Sequence, residues 1–415
     1  MNKIKIGIYN PYITTRGGGE KLTIATAEHL SKAYDVSLIV REKVEIKELA
    51  EYFNADLSRI RLVVPESPEH VMHKLFTTHK LPWPARVRSL AYAVADYRSL
   101  KELGFDIFIN NLYQSGIPCP AAKGIYVCMF PQVLKPNSGK KTLLKNTYRG
   151  AMSSLEKKLI GSPSEALKTY QVIAAISKFT ELWIEKRWNR TSSLLYPFCE
   201  PIGLPTTVKK EKMILHTGRY FADMGENHHK RQDILIDAFK GMTSSHADGW
   251  ELHLVGSTAQ DSESLKYTIQ MVQRAEGYPI YFHFNAEYKT LEKLYQTASI
   301  YWHATGYGKD ADQHPEKQEH FGITTVEAMS AGAVPVVIGS AGQRETVVDR
   351  VSGFLWKSSE ELVTRTNQLI HDPELLAKMS AEAIVQSQKF GRAAFNKQVD
   401  ALMDELSRAP TAKVR

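Results

Sequence analysis

Apolar residues recur with a period of two in short runs through the first half of the chain. Ile4, Ile6 and Ile8 alternate with other residues, which predicts a strand that ends at Asn10-Pro11. Similar runs predict further strands at Val36–Val40, Arg61–Val64, Asp106–Asn110, Gly124–Cys128 and Gln171–Ile176. Helical segments lie between them, the first from Glu20 to about Ala33. Strands alternating with helices predict parallel βαβ units and a doubly wound sheet.

The pattern restarts after a stretch rich in proline and glycine, from Tyr196 to Val208, which predicts a linker. Strands are then predicted at Met213–Thr217, Glu251–Val255, Ile280–Phe284, Ile300–His303 and Val334–Ile338. A helical stretch from Phe390 to Leu406 follows. The predicted fold is therefore α/β, with Rossmann-like domains over residues 1–200 and 201–390. Residues 391–415 are expected to form a helix, packing back toward the first domain, and a tail.

Composition fits a globular protein, and the charge is unevenly distributed. The 415 residues include 43% hydrophobic and 24% charged residues, which excludes a disordered chain, and the net charge is +8. Through residue 200 there are 29 Lys and Arg against 18 acidic residues, and afterwards 24 against 27. Two basic stretches, His70–Ala95 and Val133–Leu155, contain no acidic residue. Such stretches favour either an anionic membrane surface or a solvated basic face, and no motif favours nucleic acid.

Cysteine usage and hydropathy bear on the compartment. Cys119, Cys128 and Cys199 are an odd number without metal-ligand spacing, which favours a reducing cytoplasm. No apolar run approaches the roughly 18 residues of a transmembrane helix, and no signal-peptide stretch is expected at the start. We therefore expect a cytoplasmic protein, peripheral on the inner face of the membrane.

Glycines follow the first predicted strand in the sequence Thr15-Arg16-Gly17-Gly18-Gly19-Glu20. Without side chains, Gly17 and Gly18 let backbone N–H groups at the start of a helix approach an anion closely. The spacing is wrong for a dinucleotide-binding fingerprint. A tight connection between strand and helix explains the glycines equally well.

Cations follow the first strand of the second domain. Gly218-Arg219 comes directly after this strand, and His228-His229-Lys230-Arg231 comes before the next helix. This position is the carboxyl edge of the sheet, where ligands bind in doubly wound folds. Arg219 can grip a phosphate and Lys230 can add a point charge, although an exposed helix start is the alternative. Cations oppose the helix dipole at an N-terminus, which favours an anionic ligand.

The segment Glu319-His-Phe-Gly-Ile-Thr-Thr-Val-Glu327 joins a loop to a helix of small residues. The N–H groups of Gly322, Ile323 and Thr324 can hold a diphosphate there. Glu327 falls about one turn into the helix, where it can accept hydrogen bonds from ribose hydroxyls. The loop Asp310–Lys317 and the strand end at His303 are expected near the same site.

These motifs together resemble the retaining family 4 glycosyltransferases of GT-B fold, whose signature is two glutamates separated by seven residues. The similar subgroup contains mannosyltransferases that act on prenyl-diphosphate-linked oligosaccharides. The resemblance spans nearly the whole chain and includes Ser177-Lys-Phe-Thr180, Leu195-Tyr-Pro197 and Leu254-Val-Gly256. It implies two doubly wound domains facing a central cleft. It also implies transfer of a hexose from a nucleotide sugar to a saccharide or lipid-linked saccharide, with GDP-mannose as the first donor to consider.

The resemblance also implies roles for single residues. Arg219 and Lys230 match the diphosphate-binding pair, and Glu319 matches the glutamate beside the donor sugar. Glu327 matches the ribose ligand, and Gly322, Ile323 and Thr324 match the phosphate cradle. Gly17 and Gly18 match the loop that closes over the donor, while Asn285 and Ala286 match the backbone that contacts the base. Neither a metal nor another cofactor is expected.

One position departs from the family. Relatives carry a histidine where this chain has Met129 in Cys128-Met129-Phe130-Pro131, and a methionine cannot donate a hydrogen bond. A different donor or a different contact to the sugar would accommodate the change. Two further functions stay open at this stage, a nucleotide-sugar epimerase of the same fold and a non-catalytic partner subunit.

Overall fold

The computed structural model describes residues 3–15, 17–65, 97–134, 162–203, 208–223, 229–243, 249–259 and 261–411. The chain divides into two compact units. The first unit contains residues 1–176, 180–195 and 396–415, and the second contains residues 177–179 and 196–395. Both basic stretches lie mostly outside the described residues, as do Arg16 and His228.

The first unit is built on a parallel sheet with the strand order β3-β2-β1-β4-β5-β6-β7. Its strands are β1 (Lys5–Tyr9), β2 (Asp35–Ile39), β3 (Arg61–Val63), β4 (Ile107–Asn110), β5 (Lys123–Cys128), β6 (Val172–Ala175) and β7 (Ser193–Leu194). The helices between them are α1 (Gly18–Leu30), α2 (Ile46–Phe53), α3 (Pro163–Leu167) and α4 (Lys178–Trp188).

The second unit contains another parallel sheet, with the order β10-β9-β8-β11-β12-β13. Its strands are β8 (Glu211–Thr217), β9 (Glu251–Gly256), β10 (Ile280–Phe284), β11 (Ala298–His303), β12 (Val334–Ile338) and β13 (Phe354–Trp356). The helices are α5 (Gln232–Thr243), α6 (Ser262–Arg274), α7 (Tyr288–Thr297), α8 (Ile323–Ser330), α9 (Gln343–Thr346), α10 (Ser359–His371) and α11 (Pro373–Ser387). The last helix, α12 (Arg392–Arg408), begins in the second unit and continues into the first.

Both sheets are covered on their two faces, which explains the uninterrupted apolar runs of their central strands. Every residue of β11 and β12 is buried. Trp302, Trp356 and Phe239 are fully buried in one cluster of the second unit, and Tyr301 lies in another. Burial on both faces fixes the strands firmly, so their carboxyl ends provide a rigid edge for side chains.

The predicted fold class of two Rossmann-like domains is confirmed. Each sheet reverses its direction of growth at its first strand, as in the Rossmann order. The ends of the predicted strands differ from the observed ones by at most two residues. Two short edge strands, β7 and β13, escaped prediction because two or three residues show no alternation. Helix α1 begins at Gly18, two residues earlier than predicted, and ends at Leu30.

Helix α12 packs with the first unit through its final turns. The side chain of Lys123 donates to the carbonyl oxygens of Leu406 at 2.9 Å and Ser407 at 2.6 Å. His29 Nε2 lies 2.7 Å from the carboxylate of Asp400. A cation on the last carbonyls satisfies acceptors that a helix leaves open at its C-terminus.

Candidate active site

In the second sheet, β9 and β10 extend the sheet to one side of β8, and β11, β12 and β13 extend it to the other. The switch point therefore lies between β8 and β11. In doubly wound sheets the ligand crevice lies at the carboxyl ends of such strands. Here β8 ends at Thr217, followed by Gly218 and Arg219, and β11 ends at His303. The motifs predicted to bind the donor therefore meet the sheet edge where the fold favours a ligand.

Close packing at Gly218 brings Lys230 to this edge. A Cβ at Gly218 would lie 2.8 Å from Lys230 Cγ and 2.9 Å from His216 Nε2, so only glycine fits. The buried Gln232 side chain donates to the carbonyl oxygens of Gly218 at 3.2 Å and Arg219 at 3.3 Å. The start of α5 is thereby fastened to the end of β8, which fixes the backbone that bears Lys230.

Lys230 and Glu319 form an ion pair at this edge. Lys230 Nζ lies 2.6 Å from Glu319 Oε2, and the two side chains are only 16% and 17% exposed. Solvent screens a pair of this burial less than a surface pair. The structure therefore joins a predicted phosphate ligand directly to a predicted sugar ligand, across 89 residues of sequence.

Two buried histidines lie beside this ion pair. His303 Nε2 is 3.2 Å from Glu319 Oε2, and His216 Nδ1 donates to the carbonyl oxygen of Trp302 at 2.9 Å. Burial lowers the pKa of His303, although the hydrogen bond to Glu319 opposes it. Burial and the neighbouring His303 lower the pKa of His216 to about 3. Both imidazoles are consequently neutral near pH 7.

The N-terminus of α8 forms the opposite side of the site. Gly322 caps the helix at a φ of +94°, a conformation that favours glycine. Ile323 and Thr324 begin the helix, where the backbone N–H groups have no acceptor within the helix itself. Tyr301 donates to Thr324 Oγ1 at 2.8 Å and fixes that side chain against β11. The predicted phosphate cradle thus begins three residues after Glu319.

Glu327 lies one turn further along α8 and is oriented by a tyrosine. Tyr295 Oη donates to Glu327 Oε2 at 3.2 Å. Burial raises the pKa of Tyr295 well above its usual range, so the phenol keeps its proton and remains a donor. The sequence does not predict Tyr295 as a site residue, because an aromatic residue in a helix is typical of the hydrophobic core.

Arg219 is exposed at the end of β8, and its guanidinium lies 4.8 Å from the centre of the Phe221 ring. This geometry is a cation–π contact. Arg219 therefore lies on the predicted edge of the sheet, but its position in this structure is set by Phe221 rather than by Glu319.

Asn285 and Ala286 follow β10, two strands away from β8 on the same edge. Asn285 adopts a left-handed φ of +52°, and its N–H donates to the carbonyl oxygen of Gly256 at 3.0 Å. Its side chain exchanges hydrogen bonds with Thr258, at 3.1 Å and 3.2 Å. Ala286 packs partly buried against the core. The segment is thus held at the sheet edge by its own backbone and side chain.

The loop after β11 is tied to the loop after β8 by lysines. Lys309 and Lys317 each lie 3.2 Å from the carboxylate of Asp223. Burial raises the pKa of Asp223, but the hydrogen bonds from the two lysines outweigh it and lower the pKa overall. Asp310 accepts hydrogen bonds from the backbone of Asp312 and Gln313, which fold the loop into a turn.

In the first unit, Gly17 caps helix α1 and Gly18 begins it. The N–H of Gly17 donates to Glu20 Oε2 at 2.8 Å, and a Cβ at Gly17 would lie 2.9 Å from that oxygen. The predicted loop thus forms the start of a helix, as expected. One of its N–H groups is already engaged by the carboxylate of Glu20.

Met129 follows β5 and packs against the same glycine run. A Cβ on Gly19 would collide with the methyl group of Met129. Thr180 donates to the carbonyl oxygen of Met129 at 3.1 Å, which holds its backbone. The departure from the family histidine is thus accommodated by close packing of the thioether on glycine.

The described parts of the chain contain neither a metal-binding cluster nor a membrane-spanning helix. No group of three or more His, Cys, Asp or Glu side chains there is arranged to hold a metal ion. Among the same residues, none of the helices combines the length and the apolar character needed to cross a bilayer.

Comparisons with known proteins agree with this architecture. The family model for glycosyl transferases group 1 matches residues 206–386. Alpha-1,3/1,6-mannosyltransferase ALG2 of Mus musculus is 24% identical over 318 residues, which cover 71% of this chain and 72% of that protein.

Solved structures resemble the whole chain. The structure of Anabaena Alr3699/HepE in complex with UDP and glucose superposes with a TM-score of 0.63 at 16% identity, and covers 97% of this chain and 100% of that one. WaaG, a glycosyltransferase involved in lipopolysaccharide biosynthesis, has a TM-score of 0.61 at 14% identity, with coverages of 96% and 99%. The resemblance predicted from the motifs is confirmed: residues 206–386 carry the glycosyl transferases group 1 domain, and the chain has the GT-B fold and is similar to the mannosyltransferases.

Proposed function

We propose that the protein is a retaining hexosyltransferase that moves a hexose from a nucleotide sugar to a saccharide or lipid-linked saccharide. The donor that we propose first is GDP-mannose, which supplies mannose. The product would enter glycan or surface polysaccharide assembly. The mannosyltransferase relative supports this choice of sugar, and the similarity to WaaG supports surface polysaccharide assembly.

The observation that carries the proposal is the Lys230–Glu319 ion pair at the switch point, beside the N-terminus of α8. A nucleotide sugar brings a diphosphate and a hexose to one place. Lys230 and Arg219 would hold the diphosphate and offset the negative charge that develops on it as the glycosidic bond breaks. The N–H groups of Ile323 and Thr324 would add the positive end of the helix dipole.

Carboxylates would hold the two sugars of the donor. Glu319 would accept from hydroxyls of the transferred hexose, and Glu327, held by Tyr295, would accept from the ribose. The backbone of Asn285 and Ala286 would contact the base, and Gly17 and Gly18 would contact the donor. Charge stabilisation in this scheme comes from side chains and backbone, and we propose that transfer needs neither a metal nor a cofactor.

The test is a panel of nucleotide sugars with and without lipid-linked acceptors, read by released nucleoside diphosphate. We expect GDP-mannose to give the fastest acceptor-dependent release. Glu319→Ala and Lys230→Ala should lower turnover by about 10²–10³-fold, as the loss of a preorganised electrostatic contact does.

Two exposed positions of the second unit provide matched controls. Glu263→Ala removes a carboxylate that pairs with Lys266 on α6, and Lys240→Ala removes an amine near the end of α5. Both should transfer sugar at the normal rate. Normal turnover in Glu319→Ala and Lys230→Ala would refute the site, and conversion of a nucleotide sugar without acceptor would identify an epimerase.

The stereochemical outcome and the metal requirement have their own readouts. NMR of the product should show that the anomeric configuration of the donor is retained, and inversion would refute that part of the proposal. Turnover should be unchanged in excess EDTA. A loss restored by a divalent cation would show that a metal takes part.

We also propose that the first unit binds an anionic membrane surface, where a lipid-linked acceptor would reside. The excess of basic residues before residue 200 supports it. Neutralising Lys140, Lys141 and Lys145 should abolish salt-sensitive binding to vesicles that contain anionic lipid. Neutralising Lys266, Lys240 and Lys289 of the second unit makes a matched control, and equal binding of both triple variants would refute the surface.

A further inference from the structure

We propose that His303 is the positioning residue of Glu319: its buried imidazole holds the carboxylate in place when Lys230 turns to the diphosphate of the donor. This inference rests on the proposed function, since it assigns the second partner of the same carboxylate. It adds a residue for which the motifs predicted a place near the site but no role.

Two donors converge on one carboxylate oxygen. Glu319 Oε2 lies 2.6 Å from Lys230 Nζ and 3.2 Å from His303 Nε2. A carboxylate oxygen only accepts, so the hydrogen between His303 and Glu319 is on Nε2 of the imidazole. Thr305 Oγ1 is 3.3 Å from the same nitrogen and shares that hydrogen as a second acceptor.

The two partners of Glu319 differ in their freedom to move. His303 is the last residue of the central strand β11, is 0% exposed, and has its ring 6.0 Å from that of His216. Lys230 carries its ammonium on a four-carbon stem and retains 16% exposure. A diphosphate entering at the α8 N-terminus can therefore draw the lysine away, while the histidine stays where the strand holds it.

The charge of the two partners differs as well. Because burial lowers the pKa of His303, the ring is neutral and carries one proton, the one on Nε2. A neutral donor orients the carboxylate without cancelling its charge. Once Lys230 has moved to the phosphate, Glu319 keeps a full negative charge beside the sugar, whose reacting carbon becomes electron-poor as the bond to the diphosphate breaks.

The other ring nitrogen also favours a fixed tautomer. His303 Nδ1 is buried without a hydrogen-bond partner among the described residues. Placing the proton on Nδ1 would leave both a buried donor without an acceptor and a nitrogen lone pair facing the carboxylate. The Nε2–H form avoids that repulsion and leaves only one buried acceptor without a hydrogen bond. This costs less free energy than the Nδ1–H form, which combines a buried donor without an acceptor and a repulsion between lone pairs.

Two substitutions separate the hydrogen bond from the packing. His303→Leu fills the space but donates nothing, and His303→Gln can present an amide N–H near the place of Nε2. We expect His303→Leu to lower turnover about 10- to 100-fold, the range for loss of a hydrogen bond to a charged group. Its affinity for the nucleoside diphosphate should stay within about twofold, and His303→Gln should recover most of the turnover.

His216→Phe is the matched control, because it replaces the neighbouring buried imidazole, which bonds to a carbonyl oxygen rather than to Glu319. Its turnover should remain normal. Normal turnover in His303→Leu, no recovery in His303→Gln, or an equal loss in His216→Phe would each overturn the positioning role. So would a loss of diphosphate affinity in His303→Leu that parallels its loss of turnover.

A second measurement does not need turnover. In NMR spectra of protein labelled with ¹⁵N-histidine, the signals of His303 are those that vanish in His303→Leu. They should report the Nε2–H tautomer, shift in Glu319→Ala, and keep that tautomer when guanosine or uridine diphosphate is added. An Nδ1–H tautomer, or signals unchanged in Glu319→Ala, would overturn the inference. Failure of the wild-type protein to bind any nucleoside diphosphate would instead refute the proposed function, and the NMR result would still decide the pairing.

Discussion

Replacing Gly322 with alanine probes the cap on which the phosphate cradle depends. Gly322 has a φ of +94°, and a Cβ there would lie 2.7 Å from Gln343 Nε2. Gln343 is fully buried. Its Nε2 donates to Thr325 Oγ1 at 3.0 Å, and its Oε1 accepts from Thr346 Oγ1 at 3.3 Å. The amide cannot make room for a methyl group without giving up hydrogen bonds in the core.

The expected destabilisation has two parts that can be measured separately. A left-handed conformation costs a residue with a Cβ about 1–2 kcal/mol, and overpacking a core costs about 1–3 kcal/mol. Gly277 has a φ of +82° with nothing within 4 Å of its would-be Cβ, so Gly277→Ala meets only the first cost. We therefore expect losses of about 1–2 kcal/mol for Gly277→Ala and about 2–5 kcal/mol for Gly322→Ala.

The assay is urea denaturation of the two variants beside the wild type. Both glycines belong to the second unit, so they are compared within the same unfolding transition. The midpoint should shift further for Gly322→Ala at unchanged m-value. Affinity for the nucleoside diphosphate should also fall in Gly322→Ala and not in Gly277→Ala. Equal losses of stability would show that Gln343 moves aside freely and would refute the reasoning.

Two further predictions concern hydrogen bonds and titration in the same unit. Tyr295→Phe removes the hydrogen-bond donor to Glu327. Calorimetry should show roughly tenfold weaker binding of the nucleoside diphosphate, which corresponds to the loss of one hydrogen bond to a charged group. Unchanged affinity would contradict the orienting role of Tyr295. His216 has a pKa near 6.5 when unfolded and of about 3 when folded, so the unfolded state binds the proton first and stability falls as the pH drops from 6.5 toward 3. His216→Phe should lessen that fall by at most about 1.4 kcal/mol per pH unit, and parallel stability curves in urea titrations at several pH values would contradict the buried neutral state.

The order of strands and helices could be predicted because central strands of parallel sheets are buried on both faces. The run at Val334–Ile338 shows this, since β12 is buried throughout and has the predicted bounds. Short edge strands such as β7 make few hydrogen bonds and carry no such signal. The division into units could not be predicted in full either, because residues 177–179 belong to the second unit although they lie in the first half of the chain.

The candidate site was only partly visible in the sequence. Glu319 and Glu327 could be found because their spacing combines with a loop, a glycine and a helix start. The pairing of Lys230 with Glu319 could not, because no local pattern relates residues 89 positions apart. Tyr295 looks like an ordinary core residue of a helix, and only the packing of α7 against α8 gives it Glu327 as a partner. The sequence predicts His303 near the site but not its pairing with Glu319.

The ion pair in this structure has a consequence for ligand discrimination in the proposed reaction. In the proposed reaction Lys230 would exchange Glu319 for a phosphate, and separating a largely buried pair is costly unless new partners replace both contacts. A nucleotide sugar does so, because its diphosphate takes the lysine while its hexose hydroxyls and His303 remain with the carboxylate. A free nucleotide replaces only the first contact, and a free sugar only the second. The pair therefore favours the intact donor over its two fragments, and it returns Lys230 to Glu319 when the spent diphosphate leaves.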